Sequence, residues 1–106
     1  MAQNGDYKEA LEFGHSIEEK YSKDADYLFI MGSIYYMVED AENALHYFDR
    51  SLNEDSTDTE TLFLKANVHY ALKENGAVRE CCEEILKINP KHNDAKNLLS
   101  HLENDN

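Results

Sequence analysis

The sequence predicts an all-α fold of helix pairs stacked in series, about six helices in all. Three observations predict it. The chain repeats itself at a step of 34 residues. It holds only four Gly and one Pro in 106 residues, too few for a loop-rich sandwich or a low-complexity chain. Its apolar residues fall into segments of helical length, separated by short breaks that carry helix-capping side chains.

The repeat decides the architecture, because each helix pair leaves apolar faces that only a neighbouring pair can cover. A shift of 34 residues aligns Leu28-Phe29-Ile30 with Leu62-Phe63-Leu64, Gly32 with Ala66, Ile34 with Val68, and Tyr36 with Tyr70. It also pairs Ala44 with Val78, Phe48 with Cys82, and Leu52 with Leu86. Leu98 and Ser100 continue the Leu64 and Ala66 columns, and Ala10 falls into the Ala44 column. The small residues Gly32, Ala66 and Ser100 let two helices cross closely, with Ala10, Ala44 and Val78 keeping the partner thin. Larger residues such as Phe48, Leu52, Ile85 and Leu86 fill the space around the crossings.

Taken in order, helices are expected over about 6–21, 25–38, 41–53, 59–73, 75–88 and 92–103. Asp6 with Glu9 three residues on has the form of a capping arrangement, and Thr57 with Glu60 repeats it. Asp40 and Asn75 sit in matching breaks, each placed to cap the helix that follows, with Asn75-Gly76 read as an inter-helix turn. Asn89-Pro90 ends a helix, since proline disfavours helical backbone in the residue before it. The stretch from Tyr27 to Val38 is the most apolar in the chain, but a membrane span needs roughly 20 apolar residues, so it reads as a buried helix. In the last helix Asn97, His101 and Glu103 suit a face turned to solvent.

The period and columns resemble the tetratricopeptide repeat (TPR), a 34-residue helix–turn–helix unit. Counted from Ala25, the family's Leu-Gly pair falls on Met31-Gly32, its aromatic on Tyr35, its Ala on Ala44, its Phe on Phe48 and its second Ala on Ser51. The next unit, from Thr59, reads Lys65-Ala66, His69, Val78, Cys82 and Ile85, with Pro90 at the family's proline position. There is no Trp, Ser56 stands at the first unit's proline position, and Cys82 replaces the aromatic. The resemblance implies a right-handed α-solenoid of antiparallel helix pairs, a TPR superhelix, as one domain over 1–106. It divides into the second helix of a partial repeat (about 6–21), repeats at 25–58 and 59–92, and a capping helix in 93–106.

Chemistry beyond binding is not expected. The five His and two Cys never reach metal-ligand spacing, and no Gly-rich phosphate loop or nucleophile elbow occurs. No cofactor, metal or enzymatic activity is therefore anticipated. Vicinal Cys81 and Cys82 diverge on a helix, Cys82 filling core and Cys81 partly exposed. The formal charge of −12 repels phosphate backbones and anionic lipids, which argues against nucleic-acid and membrane partners. The N-terminus has no basic or apolar signal region, in keeping with a cytoplasmic setting.

The resemblance also implies which positions line a concave binding groove: Asp26, Phe29, Ile30, Ser33, Tyr36 and Met37, then Glu60, Phe63, Leu64, Asn67, Tyr70 and Ala71, then Asp94, Asn97, Leu98 and His101. Ile30, Leu64 and Leu98 are also candidates for core. The remaining set supplies two same-column aromatic pairs, Phe29 with Phe63 and Tyr36 with Tyr70, expected to be exposed, whose rings suit a peptide or amphipathic helix of another protein. The alternative is homo-oligomerisation through the same surface. Asp26, Glu60 and Asp94 suit a basic partner, although each also lies in a first helical turn, where the helix dipole favours negative charge. Some TPR domains clamp acidic chaperone tails with Lys and Arg. At those positions this chain has Phe29, Ser33, Phe63, Asn67, Asn97 and His101, of which only Asn67 matches.

Overall fold

The computed structural model describes residues 4–104, and all regular structure in it is helical: α1 (Asn4–Ser16), α2 (Glu18–Tyr21), α3 (Ala25–Met37), α4 (Ala41–Glu54), α5 (Thr59–Ala71), α6 (Asn75–Ile88) and α7 (Asn93–Asn104). The chain divides into two compact units, Met1–Ser56 and Thr57–Asn106. None of the described helices is long and apolar enough to cross a membrane.

Seven helices appear rather than six because the segment expected at 6–21 breaks at Ile17, whose backbone (φ −110°, ψ 5°) leaves the helical region. The Gly14 carbonyl accepts from the Ile17 amide at 3.3 Å and from the Tyr27 hydroxyl at 2.7 Å. The short α2 then restarts from the Ile17 carbonyl, which takes the Lys20 and Tyr21 amides. Asp6 lies within the first turn of α1 and not at its cap, since Asn4 is already helical.

In the first unit α3 and α4 form an antiparallel pair, shown by Ser51 near the end of α4 donating to the Ala25 carbonyl at the start of α3 (2.9 Å). Leu28, Met31, Ala44, Tyr47 and Phe48 are buried around it. A Cβ placed on Gly32 would lie 2.7 Å from the Phe48 ring and 3.3 Å from the Ala44 carbonyl oxygen, so the close crossing needs a glycine. Gly14 serves α1 in the same way, its missing side chain leaving room for the Met31 thioether. In the second unit α5 packs on α6, and α6 on α7. Ala66, Val68, Val78, Cys82, Ile85, Ala95 and Leu102 are among its buried residues. Leu52 and Leu86 are half-buried, and Ser100 is exposed where its column mates Gly32 and Ala66 are buried.

The 34-residue step is written most clearly in the backbone. Asp24, Asp58 and His92 share one column and each caps a helix: Asp24 accepts from the Tyr27 amide, Asp58 from Glu60 and Thr61, and His92 Nδ1 from Ala95 at 3.1 Å. The cap of α5 is thus Asp58, one residue beyond Thr57, because its carboxylate reaches two amides and also holds the Thr61 hydroxyl at 2.8 Å. Asp40 caps α4 as expected, but its counterpart before α6 is Glu74, which makes no side-chain cap bond; Asn75 and Gly76 lie inside α6. Between the paired helices Glu39 (φ 63°) and Lys73 (φ 62°), again one repeat apart, adopt the left-handed conformation. In both turns two amides reach back to the ending helix, Glu39 to Tyr36 and Asp40 to Tyr35, Lys73 to Tyr70 and Glu74 to His69, the pattern of a Schellman stop.

Candidate functional site

Helix α3 presents its surface along the line Asp26, Ile30, Ser33 and Met37, which share one helical face at steps of four, three and four residues. Ile30 is 56% exposed and Met37 57%, with Tyr36 beside them at 37%. Ile30 therefore belongs to the surface and not to the core: its neighbours Leu28 and Met31 already fill the inward face. Phe29 is half-buried, its ring 6.2 Å from that of Phe48, so it supports the face more than it forms it. Ser33 turns its hydroxyl back onto the Phe29 carbonyl at 2.9 Å. Asp26 is exposed in the first turn.

Two of the matching residues of the second unit, Leu64 and Tyr70, are more covered than Ile30 and Tyr36. Phe63 is half-buried with its ring 5.7 Å from that of His92, and Tyr70 is half-buried with its ring 6.3 Å from that of His101. Asn67 and Leu64 are half-buried, while Glu60, Asn97 and His101 are exposed. Of the expected exposed aromatics, Tyr36 is the most exposed, at 37%; Phe29, Phe63 and Tyr70 are half-buried and each has a ring neighbour. A hollow at the α5–α6 turn is lined by Tyr70, Ala71, Lys73 and Asn75.

A second constellation had no forewarning in the sequence. Glu18 of α2 accepts from the Tyr47 hydroxyl, lies 3.5 Å from the Tyr27 hydroxyl, and is 3.3 Å from His15 and 3.8 Å from Arg50. His15 Nε2 in turn meets the Tyr35 hydroxyl at 2.7 Å, and the Tyr35 and Tyr47 rings stack at 5.6 Å. The Tyr47 hydrogen bond, helped by His15 and Arg50, outweighs partial burial and holds the Glu18 carboxyl below the usual range. Burial and the nearby carboxylate push Tyr27 and Tyr47 upward, so the cluster is one carboxylate ringed by neutral phenols. It fastens α1 and α2 to the α3–α4 pair. Three tyrosines and a glutamate 9 to 29 residues apart match no spacing rule, and only the fold collects them.

Both cysteines are free and buried, Cys81 at 7% as well as Cys82. The expected partial exposure of Cys81 fails because its column is the one that holds Tyr47 in the first unit, which faces the interior. Burial raises the Cys82 thiol to about 11, leaving it unreactive at neutral pH.

These helix pairs, 34 residues apart with matching caps and turns, define a helical-repeat protein. Residues 59–92 match the family model described as the tetratricopeptide repeat. Two solved structures share the fold. The crystal structure of MamA superposes with a TM-score of 0.86 at 16% identity, over 95% of this chain and 59% of that one. The first TPR of Spaghetti (RPAP3), bound to the HSP90 peptide SRMEEVD, gives 0.85 at 16% identity, over 95% and 80%. The chain thus spans 59% of the MamA chain's length. No curated protein sequence matches it.

Proposed function

We propose that this chain is a non-enzymatic interaction scaffold that takes a peptide or helix of a partner protein against its repeat helices. Asp26, Phe29, Ser33, Tyr36 and Met37 act on α3, with Glu60, Phe63, Asn67 and Tyr70 on α5 and Asn97 and His101 on α7. The observation that carries the reading is the α3 face, where Ile30, Tyr36 and Met37 remain exposed beside a packed core. Large exposed side chains aligned at helical spacing are the usual anchors for another polypeptide. The RPAP3 structure holds a peptide, which agrees with this class of role. Its peptide carries acidic residues, whereas this chain lacks Lys and Arg at Phe29, Ser33, Phe63, Asn97 and His101, so an acidic tail is not the expected ligand.

The test is a peptide-display selection on the whole chain, counter-selected with the triple variant Ile30→Ser, Tyr36→Ser, Met37→Ser. These residues are exposed, so circular dichroism should show the helices intact. Recovery of peptides that bind the native chain and not the variant supports the reading. Light scattering over a dilution series supplies the rival outcome: a dimer that the same triple variant dissociates would make the surface a self-association face instead.

A further inference from the structure

We infer that the segment received by α3 is a basic one, with apolar side chains at its centre and Lys or Arg at both ends. This inference rests on the scaffold reading above and adds the chemistry of the partner. The apolar part of the face runs from Ile30 to Met37, both more than half exposed. Carboxylates bound it at either end: Asp26 on the same face one turn before Ile30, and Glu39 two residues after Met37, both exposed. No ion pair or hydrogen bond occupies either carboxylate among the described residues, and α3 contains no Lys, Arg or His.

Charge is also divided unevenly between the units. Residues 1–56 hold 13 acidic and 4 basic side chains, a formal −9, and residues 57–106 hold 9 and 6, a formal −3. The more exposed apolar face thus belongs to the more acidic unit, where a cationic segment gains both steering and end contacts. Asp26 has a local reason to be acidic, since it lies at the positive end of the α3 dipole. Glu39 has the opposite: it follows the negative end of that helix, and its counterpart Lys73 carries the sign the dipole prefers. Local helix electrostatics therefore do not account for the Glu39 carboxylate. At 1.5 Å per residue Asp26 and Glu39 are roughly 20 Å apart, which about 13 residues of a partner helix would span.

The experiment uses the peptides selected on the whole chain and measures their composition, salt dependence and affinity for charge variants. The expected ligands are enriched in Lys and Arg around an apolar centre. They should bind several-fold more weakly as salt rises from low to physiological strength. Asp26→Lys with Glu39→Lys should weaken them at least tenfold, while Glu84→Lys, at an exposed position of α6 outside the proposed binding surface, leaves them unchanged. The single Glu39→Lys change matches the dipole, so that variant should be no less stable while its binding also falls, which separates recognition from folding. Peptides that need Ile30 and Met37 but are neutral or acidic, and indifferent to the two reversals, would overturn this inference and leave the scaffold reading standing. Selection yielding no peptide that depends on Ile30 and Met37 would overturn both.

Discussion

The two units share a backbone plan and differ in how it is held together. Both place an aspartate cap at the start of the first paired helix, a left-handed residue in the turn, and small side chains at the crossing. The first unit adds a polar cluster in which Glu18 gathers Tyr27, Tyr47, His15 and Arg50. The second has Thr61 and Cys81 where the first has Tyr27 and Tyr47, and closes with Ala95 and Leu102 of α7 in an apolar core. The repeat therefore sets the aspartate caps of α3 and α5, the turns and the crossings, and leaves the chemistry that fastens neighbouring helices free to vary.

The largest effect expected from breaking this plan lies at the crossing of the first unit. Gly32→Leu drives a side chain into the Phe48 ring and the Ala44 carbonyl, which a well-packed core relieves only by moving helices apart. The cost should be about 3 kcal/mol, and the melting temperature should drop by more than about 10 °C. An unchanged melting curve would show that α3 and α4 do not cross at Gly32.

Next comes the polar cluster, which has no equivalent in the second unit. Glu18→Ala leaves the Tyr47 hydroxyl without its acceptor and loosens α1 and α2, at a cost of about 1–2 kcal/mol given that Glu18 is partly solvated. The carboxyl is held below its ordinary value of 4.5, so its contribution is complete above that pH and is lost as pH falls through the lower folded-state value. Hydrogen exchange should show α1 amides exchanging faster in the variant at neutral pH. That difference should shrink as the pH falls below 4.5, and a gap that widens in acid would contradict the assignment.

How far the sequence carried these conclusions follows from the physics of each feature. Helices α3 to α7 are legible because apolar period and capping residues are local, and the Gly32–Ala44 crossing because two columns of small residues recur. The cap of α5 was misplaced by one residue because Thr57 and Asp58 are both good caps, and only the actual turn decides between them. The break at Ile17 was hidden because it depends on the Tyr27 hydroxyl reaching the Gly14 carbonyl from 13 residues away. Exposure of the candidate site was half legible: repeat position marks the face, but coverage of Phe63 and Tyr70 depends on rings of His92 and His101.

The left-handed residues allow both units to be improved in parallel. Glu39→Gly and Lys73→Gly each remove the Cβ clash of a positive φ, worth about 1 kcal/mol, partly offset by the added freedom of glycine in the unfolded chain. Glu39→Gly should gain a few tenths of a kcal/mol more, because it also removes a negative charge from the C-terminal end of α3. Denaturant midpoints of the two variants decide this. Equal gains would mean that the dipole contributes nothing at the first turn.

The smallest effect concerns the start of α6, where the second unit lacks what the first has. Helix α4 begins with the Asp40 cap and Glu42 in its first turn, whereas α6 follows an uncapped Glu74 and has no acidic residue in its first turn. Glu74 instead turns its carboxylate to His69 at 2.8 Å, and Gly76 stands in the column of Glu42. A Cβ at Gly76 would meet nothing within 4 Å, and its φ is not positive, so substitution there is sterically free. Gly76→Ala should therefore stabilise by about 0.5 kcal/mol through helix propensity alone. Gly76→Glu should add a further few tenths by placing a negative charge near the N-terminal end of the dipole. The added part should vanish in high salt while the propensity part remains. If Gly76→Ala and Gly76→Glu were equally stabilising at low salt, the weaker start of α6 would lie in its missing cap alone, and the remaining difference between the units would have to be sought at Glu74.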